Sequence, residues 1–592
     1  MEKPKEQKEE IVLRGIAGAP GVTHGPAFLF LQNEIDIPAY VVDSKESEHE
    51  IERFDAALLE TRKQIQRIRQ EIANKLGEAE AQIFDAHQLV LEDKALIDEV
   101  INEQQSTHYN IELCFFQVAQ RYIDFFDTID DEYLKERVAD IRDVARRLLQ
   151  VLMGQEEHAL QRLSEGRIII SEDLTPSDTA LMDRERMLGF ITESGGTTSH
   201  TVIMARSLQI PAVVGLHGAT EEISTGDDLL IDGYDGLVYL NPTEQTLYRY
   251  GRIQRRRQTL QDRYNTSIGK PSETKDGKAI TLRANIDGQH DLEGMERVEA
   301  SGVGLFRTEG LFLRVNDFPD EEKQYAEYRR VVEAAAPHAV VIRTLDLGGD
   351  KNLRGMFEND EGNPFMGFRA IRFCLQHPEI FKDQLRAILR ASAHGKVRVM
   401  YPMISGITEL EHANDYLEEA KAELRERGLP FDEAIEAGSM IEIPSAVFIA
   451  DSLARQCKFF SIGTNDLIQY MLAADRMNDR IAHLYTASHP SVLRSIQMTI
   501  DAGKRNHIPV SICGEMASDP RYAILLLGMG AHELSVTIPS LSEINFLIRL
   551  LDSGEAAKLA EEVLALDDPT QVTERLSAFH EKLVADLETD LD

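Results

Sequence analysis

The sequence predicts an α/β multidomain protein: an α/β domain interrupted by a bundle of helices, then a (β/α)8 barrel. Three observations predict it. Short apolar runs broken by Gly and Pro open the chain at 11–32 and return after 167, so strands lie on both sides of a helical stretch. Within that stretch apolar residues recur at helical spacing. Beyond 271, apolar runs alternate with helix-favouring segments, the rhythm of a barrel.

The elements follow in order. Residues 1–10 (MEKPKEQKEE) are charged, lack the apolar core of a signal peptide, and read as an extension. The α/β domain takes 11–43 and 155–242, with strands expected at Arg167–Ser171, Met187–Thr192, Ala212–Gly215 and Leu229–Tyr239. The helical insertion takes 44–154. Ile51, Phe54, Leu58, Ile65, Ile68 and Ile72 mark its first helix, with Asp43 or Ser44 as cap and Glu46 placed for a capping box from Asp43. Further helices are expected over 79–104, 106–128 and 135–154, broken at Gly77 and Thr107–Asn110. Segment 243–270 reads as a linker helix, its Arg255–Arg257 run either solvated or an anion patch. The barrel takes 271–592, with strands expected at 280–286, 302–308, 340–347, 397–404, 437–444, 459–464, 509–514 and 533–538.

Composition narrows the function. Among 592 residues, 101 Asp and Glu face 64 Lys and Arg, a net charge of −37 that repels phosphate backbones and excludes a general nucleic-acid binder. The same sign disfavours anionic membrane surfaces, and no apolar run approaches the ~18 residues needed for membrane insertion. Four cysteines, Cys114, Cys374, Cys457 and Cys513, stand singly without metal or redox spacing, which suits a reducing, cytoplasmic location.

Two candidate sites emerge. In Gly195–Arg206 the glycines permit a close turn and a short helix follows, with Ile203, Met204 and Leu208 on one side. His200 then sits near a helix N-terminus, where free N–H groups favour an anion. It is either a turn cap or a phosphoryl acceptor with Thr179 and Arg206 as phosphate partners. In the barrel, Arg307, Arg343, Arg369 and Arg476 fall in separate motifs near the C-terminal ends of expected strands, and guanidinium forks match phosphate and carboxylate oxygens. Glu442 and Asp466 end adjacent strand candidates, as a cation pair or as salt-bridge partners of arginines. Cys513 ends the seventh strand candidate, as inert packing or as a partly exposed thiol able to pass a proton.

Gly195-Gly196-Thr197-Thr198-Ser199-His200 closely resembles the phosphohistidine signature of Enzyme I, the phosphoenolpyruvate–protein phosphotransferase of the bacterial sugar phosphotransferase system. The segments FRTE, RTLDLGGDK, NPFMGFRAIR, MIEIP, GTNDLIQY and CGEMA are similar to that family's phosphoenolpyruvate-binding domain, and IFDAHQLVLEDKALIDEV to its helical insertion. The resemblance implies a swivelling phosphohistidine domain with His200 as acceptor. It implies Arg307, Arg343, Arg369, Asn465 and Arg476 as substrate binders, Glu442 and Asp466 as Mg2+ ligands, and Cys513 as proton donor. It further implies docking of the phosphocarrier HPr on the insertion, and a homodimer through the barrel. Thr197 stands where the family commonly has Arg. A pyruvate phosphate dikinase or phosphoenolpyruvate synthase relative would need an ATP domain, for which the chain has neither a P-loop nor room. A regulatory phosphorelay with the same chemistry remains a second expectation.

Overall fold

Strands from both sides of the helical stretch close one sheet. The computed structural model describes residues 10–30, 37–43, 45–75, 81, 83–127, 132–154, 165–175, 178, 186–195, 200–208, 210–313, 318–348, 366–476, 478 and 481–589. The chain divides into two compact units, Met1–Arg255 and Arg256–Asp592.

In the first unit, β1 (Ile11–Arg14), β2 (Ile16–Ala19) and β3 (Val22–Leu29) precede the helices. Strands β4 (Arg167–Ser171), β5 (Met187–Thr192), β6 (Ala212–Val214), β7 (Asp228–Asp232) and β8 (Leu237–Leu240) follow them. The eight lie in the order β1-β8-β7-β3-β4-β5-β6-β2. Parallel pairing of β3, β4, β5 and β6 forms its centre, and β1, β2, β7 and β8 pair antiparallel. The central strand β4 reads RIIIS, with Ile168, Ile169 and Ile170 all fully buried, the continuous apolar run of a strand covered on both faces.

The intervening helices are α1 (Ser47–Lys75), α2 (Ile83–Leu91), α3 (Lys94–Thr107), α4 (Ile111–Asp127) and α5 (Glu132–Leu152). Phe54, Leu58, Ile65, Ile68 and Ile72 of α1 enter their shared core. Two expectations are corrected. Helix α1 begins at Ser47, so Asp43 makes no capping box; its carboxylate instead accepts the Lys45 N–H at 3.1 Å, and Ser44 lies outside the described residues. The single helix expected over 79–104 is two, because the Asp93 carboxylate accepts the N–H groups of Ala95 and Leu96 and starts a new helix. The break at Thr107–Asn110 forms as expected, with His108 left-handed at φ 58° closing α3.

Helix α6 (His200–Leu208) lies between two cores. Met204 joins the core of the helices, while Val202, Ala205 and Leu208 pack on the sheet, so Met204 and Leu208 serve different neighbours. Helix α7 (Glu244–Asn265) spans the linker segment, and the side chains of Arg255–Arg257 lie outside the described residues.

In the second unit, eight strands are all parallel: β9 (Thr281–Ile286), β10 (Val303–Phe306), β11 (Val340–Arg343), β12 (Val397–Tyr401), β13 (Glu436–Ile441), β14 (Phe460–Gly463), β15 (Val510–Cys513) and β16 (Glu533–Thr537). They close into a barrel when β16 pairs with β9, from Glu533↔Thr281 to Thr537↔Asn285. Each strand falls within or against the apolar run that predicts it. One large core joins the barrel wall to its surrounding helices, and a small inner one fills the barrel with Leu305, Val341, Met400, Met440, Phe459 and Cys513. No described helix is long and apolar enough to cross a membrane.

Candidate active site

The residues that follow the barrel strands converge on one cavity of about 450 Å³. Arg307 follows β10, Arg343 ends β11, Glu442 follows β13, and Cys513 ends β15. Asn465 and Asp466 occupy the first turn of α8 (Thr464–Leu472), directly after β14. Arg369 and Arg476 arrive from loops. All eight line the cavity at the C-terminal face, where a barrel's strand ends and loops can hold a reactant.

The arginines are held by carboxylates. Asp346 accepts Arg369 Nε at 3.0 Å and Nη2 at 2.8 Å on one oxygen, with Nη2 2.9 Å from the other. It also pairs with Arg343 Nη1 at 3.0 Å, and Arg343 Nη2 donates to Glu309 at 2.8 Å. Arg369 Nη1 donates to the Tyr470 hydroxyl at 3.3 Å, and Nη2 lies 3.6 Å from Asp466. Burial opposes the charge of Arg343 and of Arg369, but the carboxylates outweigh it and hold both well above the usual arginine range. Arg307 is more open and donates to Asp287 at 3.0 Å.

The two acids differ in setting. Glu442 is 1% exposed and accepts the Met403 N–H at 2.6 Å. Burial first, then the charges of Asp466 and Asp346, push its carboxyl up to about 8, against the pull of Arg343. Asn465 is fixed by Glu515: its Nδ2 donates to Oε1 at 3.1 Å, and its Oδ1 accepts the Glu515 N–H at 3.0 Å. The expectation of a partly exposed Cys513 is corrected. The residue is 1% exposed on the cavity floor, because β15 delivers it into the inner packing layer. Burial raises its pKa, so the sulfur carries its proton at neutral pH.

At the other candidate site, His200 opens α6 three residues after Thr197, and its side chain, Thr197 and Thr179 lie outside the described residues. Arg206, in the last turn, donates Nε to the Gly18 carbonyl at 2.9 Å, tying the helix to β2. His200 belongs to the first unit and the barrel cavity to the second. The sequence places Asp346 at the C-terminal end of an expected strand, where barrels carry their chemistry, without a specific role, and marks no role for Glu309, Tyr470 or Glu515. Asp346, Glu309 and Tyr470 stand inside the motifs RTLD, FRTE and GTNDLIQY, but only the fold shows that they brace arginines.

The chain resembles known families over most of its length. Residues 261–553 match the model described as the PEP-binding domain of PEP-utilising enzymes. Residues 14–137 match their N-terminal model and 163–236 their mobile domain, so the class is that of the PEP-utilising enzymes. The chain is 41% identical over 567 residues to the phosphoenolpyruvate-protein phosphotransferase of Listeria monocytogenes serovar 1/2a, spanning 96% of this chain and 99% of the relative. It is 40% identical over 567 residues to that of Bacillus subtilis strain 168, spanning 96% and 98%. A solution structure of an Enzyme I protein is 39% identical, covering 40% of this chain and 96% of that one, with a TM-score of 0.35. The chain belongs to the phosphoenolpyruvate-protein phosphotransferases, a family of transferases.

Proposed function

We propose that the protein transfers the phosphoryl group of phosphoenolpyruvate to its own His200 and from there to a histidine of HPr, releasing pyruvate. It is the first component of a sugar phosphotransferase system. The observation that carries this reading is the convergence of Arg307, Arg343, Arg369 and Arg476 on one cavity in a protein of net charge −37. Such a protein must concentrate positive charge locally to hold a ligand with both a phosphate and a carboxylate.

The guanidinium forks and Asn465 orient the substrate, and the buried carboxylates keep the forks in place before it arrives. Phosphoryl transfer requires chiefly alignment and charge stabilisation, which these groups supply. His200 takes the phosphoryl group, with Thr179 and Arg206 supporting it. Cys513 then gives its proton to the methylene carbon of enolpyruvate. Glu442 and Asp466 fit a divalent cation, taken as Mg2+: a carboxyl pushed up to about 8 by burial first and then by neighbouring acids is a site that a cation would relieve. No described group gathers three His, Cys, Asp or Glu for a metal, and Mg2+ commonly binds through one or two carboxylates with substrate oxygens and water. When bound it neutralises phosphate charge.

Because acceptor and substrate site belong to different units, the 243–270 linker acts as a swivel between the phosphohistidine domain (11–43 and 155–242) and the barrel (271–592). The insertion 44–154 docks HPr, the barrel forms a homodimer, and the protein acts in the cytoplasm. Resemblance supports these assignments.

The test is intact mass after incubation with phosphoenolpyruvate and Mg2+, alongside His200→Ala. An acid-labile gain of one phosphoryl group, lost in the variant and with EDTA, is expected. No gain with any divalent metal would overturn the reading. Labelling from ATP without phosphoenolpyruvate would favour a dikinase instead. Cross-linking the two units is expected to stop turnover from phosphoenolpyruvate to HPr.

A further inference from the structure

Under the cavity the inner layer of the barrel includes an apolar cluster of Leu305, Val341, Met400, Met440 and Phe459 around Cys513. Ser461 brings a hydroxyl to this place, and it is fully buried. Strand register explains how. Ser461 pairs with Ser511 and Gly463 with Cys513 across β14 and β15, so Ser461 sits one side-chain step below Cys513 on the neighbouring strand. Its Oγ donates to Cys513 Sγ at 3.4 Å, and Sγ in turn donates to the Ile462 carbonyl at 3.4 Å.

A buried serine needs a partner, and a nearby carbonyl usually serves. Two other serines of the barrel do this: Ser439 donates to the Met440 carbonyl and Ser511 to that of Phe460. Ser461 is spent on sulfur instead. Against the apolar cluster an alanine would pack as well, and what the hydroxyl adds is the hydrogen bond to sulfur.

We propose that Ser461 is the positioning residue of proton delivery, holding the Cys513 sulfur and stabilising the thiolate that forms when the thiol protonates C3 of enolpyruvate. The proposal rests on the reading of Cys513 as the proton donor. In the step, the π pair of the enolate forms the new C3–H bond, the enolate oxygen becomes the ketone of pyruvate, and the S–H bond breaks with its pair left on sulfur. Solvent then returns a proton to the thiolate. Rotation about Cβ–Sγ swings the proton from the Ile462 carbonyl toward the cavity while Ser461 keeps the sulfur in place. Stabilisation falls on the product of the step, the anion, where a hydrogen bond acts most strongly. The same hydrogen bond lowers the thiol pKa against the effect of burial.

The experiment uses the full protein with HPr. Phosphoenolpyruvate carrying deuterium at one defined C3 position is turned over in tritiated water, and the chirality of the pyruvate methyl group reports the face of protonation. His200 phosphorylation is followed in parallel by mass. In Ser461→Ala, face selectivity is expected to be lost and enzyme-directed protonation to fall about tenfold further than His200 phosphorylation. Ser461→Thr, which keeps the hydroxyl, is expected to restore selectivity. Retained selectivity in Ser461→Ala, or an equal fall of both steps, overturns the proposal. Cys513→Ala separates the two readings. If it keeps selectivity, the donor assignment fails and the proposal with it. If it loses selectivity while Ser461→Ala does not, only the role of Ser461 fails.

Discussion

Asp346 joins Arg343 and Arg369 while only 3% exposed, so each side chain's burial depends on the others. Removing one partner of such a cluster leaves a buried charge uncompensated. Asp346→Ala is expected to destabilise the barrel by about 3–5 kcal/mol, read by urea unfolding, with Asp346→Asn milder. Gly348 lies beside the same cluster at φ +121°, and a Cβ there would come within 2.4 Å of Arg369 Cβ. Gly348→Ala therefore displaces Arg369, and KM for phosphoenolpyruvate is expected to rise about tenfold. Glu442 gives a pH dependence. Its folded value of about 8 lies above the ordinary 4.5, so its contribution is complete below about 4.5 and is lost as pH rises through 8. Metal-free protein is expected to lose that stability across the window, and Glu442→Gln to lose less. Mg2+ binding near pH 7 is expected to release a proton, measured by calorimetry in buffers of different ionisation enthalpy.

At the scale of elements, Glu321 ties three helices of the barrel's outer ring. It opens the helix Glu321–Ala335 and accepts Arg386 at 2.8 Å and Arg390 at 2.6 Å, both from the helix Pro378–Ala391. It also accepts Arg427 at 2.7 Å, where the helix Ile407–Glu426 ends. Burial pushes its carboxyl up, but the three arginines outweigh that and hold it down to about 2. The sign is opposite to that of Glu442: the stabilisation is present above about 4.5 and lost as pH falls through 2. Glu321→Gln is expected to lower the melting temperature at pH 7 and to reduce the loss on acidification, measured by thermal melts from pH 7 to 3.

At the scale of the whole molecule, separate cores in the two units permit separate unfolding. Calorimetry is expected to resolve two transitions. In the His200→Ala variant, phosphoenolpyruvate with Mg2+ is expected to raise only the one assigned to Arg256–Asp592, because a ligand stabilises the body that binds it. A shift of both transitions would mean that the units unfold as one.

Much of this was legible from residue order. Runs such as RIIIS at 167–171 and VSIC at 510–513 mark strands by their apolar continuity, and the eight runs beyond 271 come in barrel rhythm. The motifs around Arg307, Arg343, Arg369, Glu442 and Asp466 marked the cavity because several separated arginine forks suit a phosphate and a carboxylate, and two acids at adjacent strand ends suit a cation. The start of α1 at Ser47 and the break at Asp93 were not legible, since local side-chain hydrogen bonds compete closely with helix continuation. Nor was the bracing of Arg343 by Glu309, or the meeting of Ser461 with Cys513, 52 residues apart. By itself the sequence determined which segments become strands and helices and which charged types stand at their ends, because backbone propensity and apolar period act locally. Only the tertiary structure decided which charges face each other and how deeply they are buried, because barrel closure and strand register bring distant residues together.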